Sequence, residues 1–428
     1  MNTYFSSFRP FTLLGWLLFV LVPMACVDPE DILLRGTVDV IVVDGTITNL
    51  DEPQLIKLNR SRADPVSGLF GVLPVTKASV KVRIDSAQTV SATETVDGTY
   101  RLPGDFRGQA GHAYQLQITF NDGTEYVSTQ QVMPPVPPID NVSIRFNATA
   151  FAPGQYPKGF RAGYTCQVTT RDPVDQHNYY RWDWKLWEKQ KWCRSCYQGN
   201  YIDSVQENYV QNGVLVMVRR AVEDCEPIPR DFSVTNFEHW YDFTCRTPCW
   251  DISQNATLHL FDDQLTNGGA VNGRQVAVVP LLTRQPALLE IRQVALTASA
   301  YRFYDLLQQQ TQKTGGLADT PPAALVGNVT NRANPREVVV GFFTASSIAT
   351  ARRFLDKKDA TVLSYGAYDE SGQIIEFDDE LFFVQTTRIP LPGAKGKPFV
   401  PGGPDRYITA PCIPGETRTP IKPDGWPD

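Results

Sequence analysis

The sequence predicts a mostly β protein: an N-terminal immunoglobulin-like β-sandwich followed by a larger β-rich domain with one main helix. Three observations carry that expectation. Short runs of alternating apolar and polar residues recur at roughly 8–12-residue intervals, separated by turn signals. A proline-rich stretch at residues 133–140 interrupts them. One segment, residues 298–312, carries aromatic and aliphatic groups near helical spacing.

The chain begins with an address. Residues 1–25 read as a signal peptide: a lead whose only charge is Arg9, then the apolar run FTLLGWLLFVLV at 11–22, then Ala25 before Cys26. That run is shorter than the roughly 20 residues needed to cross a bilayer. A cysteine directly after a small residue resembles the bacterial lipobox, in which the thiol is acylated and becomes the mature N-terminus. Pro23 and Met24 depart from the usual lipobox residues. Residues 26–35 are then a lipid anchor and linker. In it Asp28, Glu30 and Asp31 resemble the acidic surface-export signal of Bacteroidota lipoproteins.

Residues 36–132 read as the sandwich. Val38 to Val43 form a β-branched run that ends in Asp44-Gly45, and Leu55 to Leu58 follow. Val80, Val82 and Ile84 alternate with Lys81 and Arg83, the mark of a half-buried strand. Asp97-Gly98 and Asp122-Gly123 lie between strand-like runs, as tight hairpin turns require. Pro134, Pro135, Pro137 and Pro138 then favour a stiff extended connector, placed at 133–140.

Residues 141–428 read as a β-rich, disulfide-stapled domain. Tyr180, Trp182, Trp184 and Leu186 alternate with Arg181, Asp183 and Lys185. The runs at 214–218 and 338–343 read as buried strands, and Gly315-Gly316 as the C-cap of the helix. Beyond Cys26 stand seven cysteines: Cys166, Cys193, Cys196, Cys225, Cys245, Cys249 and Cys412. Disulfides are the default for an exported chain, and an odd count leaves one thiol over. The Cys193/Cys196 and Cys245/Cys249 spacings also occur in zinc sites, but no histidine stands at close ligand spacing.

Composition narrows the function classes. The 40 basic and 46 acidic residues become 39 and 46 once Arg9 is cut away, a net charge of −7. That excludes a nucleic-acid binder built on clustered Lys and Arg. No G-x-S-x-G elbow, H-E-x-x-H or P-loop occurs, so no cofactor and no catalytic residue is assigned. The four histidines, His112, His177, His239 and His259, lie in separate segments and read as structural. Asp262-Asp263 with Asn267-Gly268-Gly269 reads as a polar turn in preference to a calcium loop.

The aromatic cluster from Tyr179 to Tyr201 is the candidate contact surface. Core packing accounts for one strand face. Trp187, which breaks the alternation, is expected to be exposed, and Trp192, Tyr197 and Tyr201 are candidates for a partner or ligand surface. The segment 192–209, bounded by Cys193 and Cys196, reads as a contact loop. Ser86 and Ser204 sit in Asp-Ser-small-apolar triplets that match the Bacteroidota O-glycosylation pattern.

Several motifs together carry a resemblance. They are Ile291-Arg292-Gln293-Val294-Ala295-Leu296-Thr297, Ala300-Tyr301-Arg302-Phe303-Tyr304, Gly327-Asn328-Val329-Thr330-Asn331 and Val340-Gly341-Phe342-Phe343. With the opening Val43-Asp44-Gly45-Thr46-Ile47 and the tail Lys422-Pro423-Asp424-Gly425-Trp426, the chain resembles the Bacteroidota domain-of-unknown-function family 4249. Family tails often carry two cysteines two residues apart, and here only Cys412 is present. The resemblance implies an outer-membrane lipoprotein beside a TonB-dependent receptor of the starch-utilisation type, with an accessory role and no reaction. Two other readings are a lipoprotein subunit of an outer-membrane assembly or secretion machine, and a polymer-degrading hydrolase using paired carboxylates.

Overall fold

The computed structural model describes residues 39–63, 70–156, 159–174, 176–227, 240–255, 257–264, 268–312, 325–365, 388–391, 395–396 and 406–427. The expected signal peptide at residues 1–25, Cys26, the acidic triplet Asp28, Glu30 and Asp31, and His239 lie outside the described residues.

The strands of the N-terminal unit are β1 (Asp39–Thr48), β2 (Leu55–Ala63), β3 (Phe70–Pro74), β4 (Ser79–Ile84), β5 (Gln88–Val96), β6 (Thr99–Arg101), β7 (Ala113–Thr119), β8 (Glu125–Ser128) and β9 (Gln131–Val132). Next come β10 (Ile139–Asn147), β11 (Gly163–Arg171), β12 (Tyr179–Lys189), β13 (Trp192–Tyr197), β14 (Gly199–Gln211), β15 (Val214–Pro227), β16 (Trp240–Thr244), β17 (Trp250–Gln254), β18 (His259–Asp262), β19 (Ala270–Pro280) and β20 (Ala287–Leu296). After the helix α1 (Ala298–Gln312) follow β21 (Val329–Asn331), β22 (Val339–Ser346), β23 (Ile348–Leu355), β24 (Arg388–Leu391), β25 (Lys395–Gly396), β26 (Arg406–Tyr407) and β27 (Arg418–Thr419). The protein is mostly β with one main helix, and the helix has the bounds its spacing implies.

Alternation decides which faces meet in the N-terminal unit. Val80 pairs with Ile118 and Val82 with Leu116, and all four are buried. Asp97-Gly98 and Asp122-Gly123 make the turns between β5 and β6 and between β7 and β8, with both glycines at positive φ. The sheet runs β21-β8-β7-β4-β5-β6-β2-β1-β22 and rolls into a nearly closed barrel.

Its two ends are strands from far along the chain. β22 lies parallel to β1 over eight residue pairs, from Ile41↔Val339 to Thr48↔Ser346, and β21 pairs with β8. The N-terminal unit is therefore not residues 36–132 alone. Without Phe343, Val339, Ala345 and Val329 its core would be open on one side. Phe343 is fully buried there, a contribution of about 1.5–3 kcal/mol for a side chain of its size. At the seam the backbones approach so closely that a Cβ on Gly327 would stand 1.8 Å from the Gly341 carbonyl oxygen.

In the second unit, the sheet β23-β20-β12-β17-β27 packs on the three-stranded sheet β10-β11-β19. Tyr180, Trp182, Trp184 and Leu186 point into that core as their alternation implies. A smaller sheet, β13-β16-β24, surrounds a core made largely of disulfides. Thr297 caps α1: its hydroxyl accepts from the Ala300 N–H and donates to Gln131 of the N-terminal unit. The proline connector is held by its carbonyls, since prolines have no N–H to offer a ladder. Pro137 O accepts from Gln293 Nε2 at 2.9 Å and Pro138 O from Thr170 Oγ1 at 2.8 Å.

Candidate functional site

Two features stand out: a charged cleft where the two units meet, and an apolar hairpin arm.

The cleft follows from the alternation of β12. With its aromatic face in the core, Arg181, Asp183 and Lys185 are left on the face toward the joint. Register adds the neighbours. Lys185 lies opposite Glu290 and Glu290 opposite Arg352, while Asp183 lies opposite Arg292. The β1–β2 turn then brings Glu52 down onto this ladder. Arg292 donates to both Glu52 oxygens at 2.8 and 2.9 Å and to Glu290 at 2.5 Å. Arg352 shares Glu290 at 2.6 Å, and Arg181 donates twice to Asp183 while lying 4.6 Å over the Tyr304 ring. Glu290 is 1% exposed, and its two guanidinium partners offset the cost of burying its charge.

These groups line a 400 Å³ cavity with Gln254, Asn255 and Thr257. A 250 Å³ cavity toward β1 shares Glu52, Arg181, Asp183 and Arg292 with it. A 670 Å³ cavity on the far side of the β17–β18 connection shares Trp184, Gln254, Asn255 and Thr257, and its wall includes Phe151, Tyr156 and His259. Burial raises the Glu52 pKa, but the Arg292 hydrogen bonds and charge outweigh it and hold the carboxyl below its ordinary value. Burial first, then the charge of Arg292, pulls the Lys185 ammonium below the ordinary lysine value, against the attraction of Glu52 and Glu290. Burial likewise lowers His259. Charge on both signs, amides and a hydroxyl suit the recognition of a hydrophilic ligand.

The arm is β14 and β15, which pair with each other and with no other strand among the described residues. Asn212 and Gly213 form a two-residue turn, both at positive φ, as a type I′ hairpin demands. From Val205↔Arg220 to the turn the arm extends roughly 20 Å. Val210, Val214, Leu215 and Met217 are each about 60–70% exposed (69, 65, 59 and 62%). The run at 214–218 is thus a strand, as its composition implies, but an exposed one: among the described residues no second sheet covers it. The Cys196–Cys225 disulfide fixes the base of the arm.

The other sequence-derived residues sort by burial. Trp187 is 7% exposed, packed with Trp250 and Leu288, so the expectation that it is exposed is corrected; Lys185 and Arg352 lie over its ring. The alternation breaks there because Trp187 has its own apolar cluster, with Trp250, Leu288 and the tail residue Trp426, apart from the main core that takes Leu186. Trp192 and Tyr201 are also buried, and only Tyr197, beside Trp240, is on the surface. The segment 192–209 is strand and arm, not a loop. Ser86 is exposed in the β4–β5 turn. Ser204 is 7% exposed and donates to Asp203 at 2.9 Å.

The disulfides are Cys193–Cys245, Cys196–Cys225 and Cys249–Cys412, with Cys166 a buried thiol whose pKa burial pushes up to about 12. Cys193 and Cys196 therefore do not bridge each other. Cys193, Cys249 and Cys412 converge as three sulfurs would around a metal, but all three are spent in disulfides. His177 Nε2 stands 2.6 Å from Asp262 and 3.5 Å from the buried Asp263, the donor types a divalent cation takes. The same atoms also form a local ion pair, and Gly268 and Gly269 fold the turn back onto Asp172. The arm was missed from sequence although Asn212-Gly213, between apolar runs, signals it. The cleft had no local signal, because Glu52 and Arg292 are 240 residues apart.

No curated protein and no solved structure matches the chain. A family model described as "Domain of unknown function (DUF4249)" matches residues 27–352. With that span covering most of its length and holding both the joint and the arm, the chain belongs to the DUF4249 family.

Proposed function

We propose that this protein is a lipid-anchored lipoprotein of the outer-membrane surface. In this reading it is a non-enzymatic accessory partner of a TonB-dependent receptor of the starch-utilisation type, acting in nutrient capture or uptake. The observation that carries the reading is the arm. A hairpin that joins no other strand among the described residues and exposes this much apolar surface is a liability unless a partner covers it. Here the Cys196–Cys225 disulfide holds it in place. Main-chain groups along both of its outer edges suit addition to another sheet, as a membrane barrel or its plug would offer. Cys26 supplies the lipid, and Asp28, Glu30 and Asp31 the export signal. The N-terminal unit, which we take as an immunoglobulin-like module, spaces cleft and arm from the membrane. No helix among the described residues is long and apolar enough to cross a membrane.

The test is affinity purification from detergent-solubilised outer membrane, with the native chain and with a Leu215→Glu, Met217→Glu variant. The native chain recovers a TonB-dependent barrel and the variant loses it. Recovery of assembly-machine components without a receptor transfers the protein to the second class, and recovery of no barrel refutes the reading.

A further inference from the structure

We propose that the 400 Å³ cavity at the joint binds a small hydroxyl-bearing carboxylate, an acidic sugar, with Lys185 as the group that takes its negative charge. This names a ligand for the capture half of the function proposed above and rests on that half alone.

The argument starts from pairing. Each guanidinium of the ladder has its carboxylate: Arg181 has Asp183, Arg292 has Glu52 and Glu290, and Arg352 has Glu290 and Asp424. Lys185 is the exception. It lines the same cavity and is half-buried, yet among the described residues its ammonium makes no hydrogen bond and no ion pair. It lies 5.1 Å over the Trp187 ring, which steadies a cation but does not neutralise it. A half-buried ammonium without an acceptor is costly, and an incoming anion relieves that cost. Burial first, then the charge of Arg292, holds the ammonium below its ordinary pKa, against the attraction of Glu52 and Glu290.

The rest of the wall selects among anions. Gln254 is the cross-strand neighbour of Lys185 and is exposed in the same wall as Thr257, and the Gln254 side-chain amide makes no hydrogen bond among the described residues. An amide beside the ammonium and a hydroxyl in the same wall suit a ligand that carries hydroxyls as well as a carboxylate. The volume lies within the range of small-molecule sites, about 300–1,000 Å³. The adjoining 670 Å³ cavity, with Phe151 and Tyr156 in its wall, gives room for a second ring that an oligomer of the same sugar would place there.

The experiment uses the whole mature chain, purified without any barrel, so its outcome is independent of docking. Binding of glucuronate, its dimer, glucose and inorganic phosphate is measured by calorimetry, for the native chain and for Lys185→Met and Lys189→Met. Lys189 is the exposed control on the same strand. Glucuronate or its dimer binds the native chain and Lys189→Met alike, Lys185→Met weakens it at least tenfold, and glucose binds at least tenfold more weakly. Lys185→Met melts no lower than the native chain, because it removes a half-buried ammonium that makes no hydrogen bond or ion pair among the described residues. Glucose binding as well as glucuronate, binding untouched by Lys185→Met, or a Lys185→Met chain that unfolds each overturns the proposal. So does phosphate competing as well as the sugar, which reduces the site to a bare anion hole, or no binding by the native chain at all.

Discussion

The side-chain amide of Asn328 replaces a strand pairing at Phe343. Its Nδ2 donates to the Phe343 carbonyl and its Oδ1 accepts from the Phe343 N–H, both at 2.8 Å. Asn328 also reaches Thr129, and the Thr129 N–H donates to the Asn328 carbonyl. One residue thus ties β8, β21 and β22 together at the point where the barrel closes.

Asn328→Ala is expected to lose about 2–3 kcal/mol, because two buried main-chain groups of Phe343 are left without partners. Urea denaturation followed by tryptophan fluorescence measures it. A loss under about 0.5 kcal/mol, the scale of an ordinary surface change, contradicts the role given to the seam.

Glu52 and Arg292 make the joint acid-sensitive. The Glu52 pKa is lowered by folding, so its contribution is fully present above the ordinary value of 4.5 and is lost as pH falls through the lower native value. Glu52→Gln is expected to cost about 1–2 kcal/mol near neutral pH and to flatten the stability curve below pH 4.5, since the carboxylate is partly wet and screened. The check is a thermal melt at several pH values. Parallel curves for the native chain and the variant in that window would remove Glu52 from the acid response.

Cys249–Cys412 joins residues 163 apart and brings the tail to β17. Replacing both cysteines by serine is expected to lower stability by about 3–5 kcal/mol and to expose the tail to protease. In a mature chain whose Cys26 is replaced, a thiol reagent should find no reactive group in the native state and one, Cys166, after unfolding. More than one thiol after unfolding contradicts the three pairings.

The arm should be dispensable for folding. Leu215→Glu with Met217→Glu is expected to change the melting temperature by no more than a surface substitution does, while reducing the tendency of the purified chain to self-associate. Sedimentation of both chains tests it. A drop in stability of several kcal/mol would mean that the arm packs against the body.

Much was legible locally. The alternation around Val80 and Trp182, the Asp-Gly turns and the spacing of Tyr301 and Tyr304 identified strands, turns and the helix, because these depend on neighbours a few residues away. The same rules failed at Trp187 and at residues 214–218. There the pattern says only that a strand is apolar, and its surroundings decide whether anything covers it. The cysteine count implied one thiol left over, while the choice of Cys166 and the three partners had to come from space.

By itself the sequence determined a β-rich chain with motifs of the family to which it belongs, and it set the expectation of a signal peptide and a lipid site at Cys26. Only the tertiary structure decided that β22 completes the first unit, that Glu52 meets Arg292, that Lys185 lines a cavity without a hydrogen-bond acceptor among the described residues, and that Val214, Leu215 and Met217 are exposed. The physical reason is range. Backbone preference and side-chain period are encoded by adjacent residues, whereas parallel pairing across some 300 residues and the balance of buried charge are fixed by what the folded chain brings together.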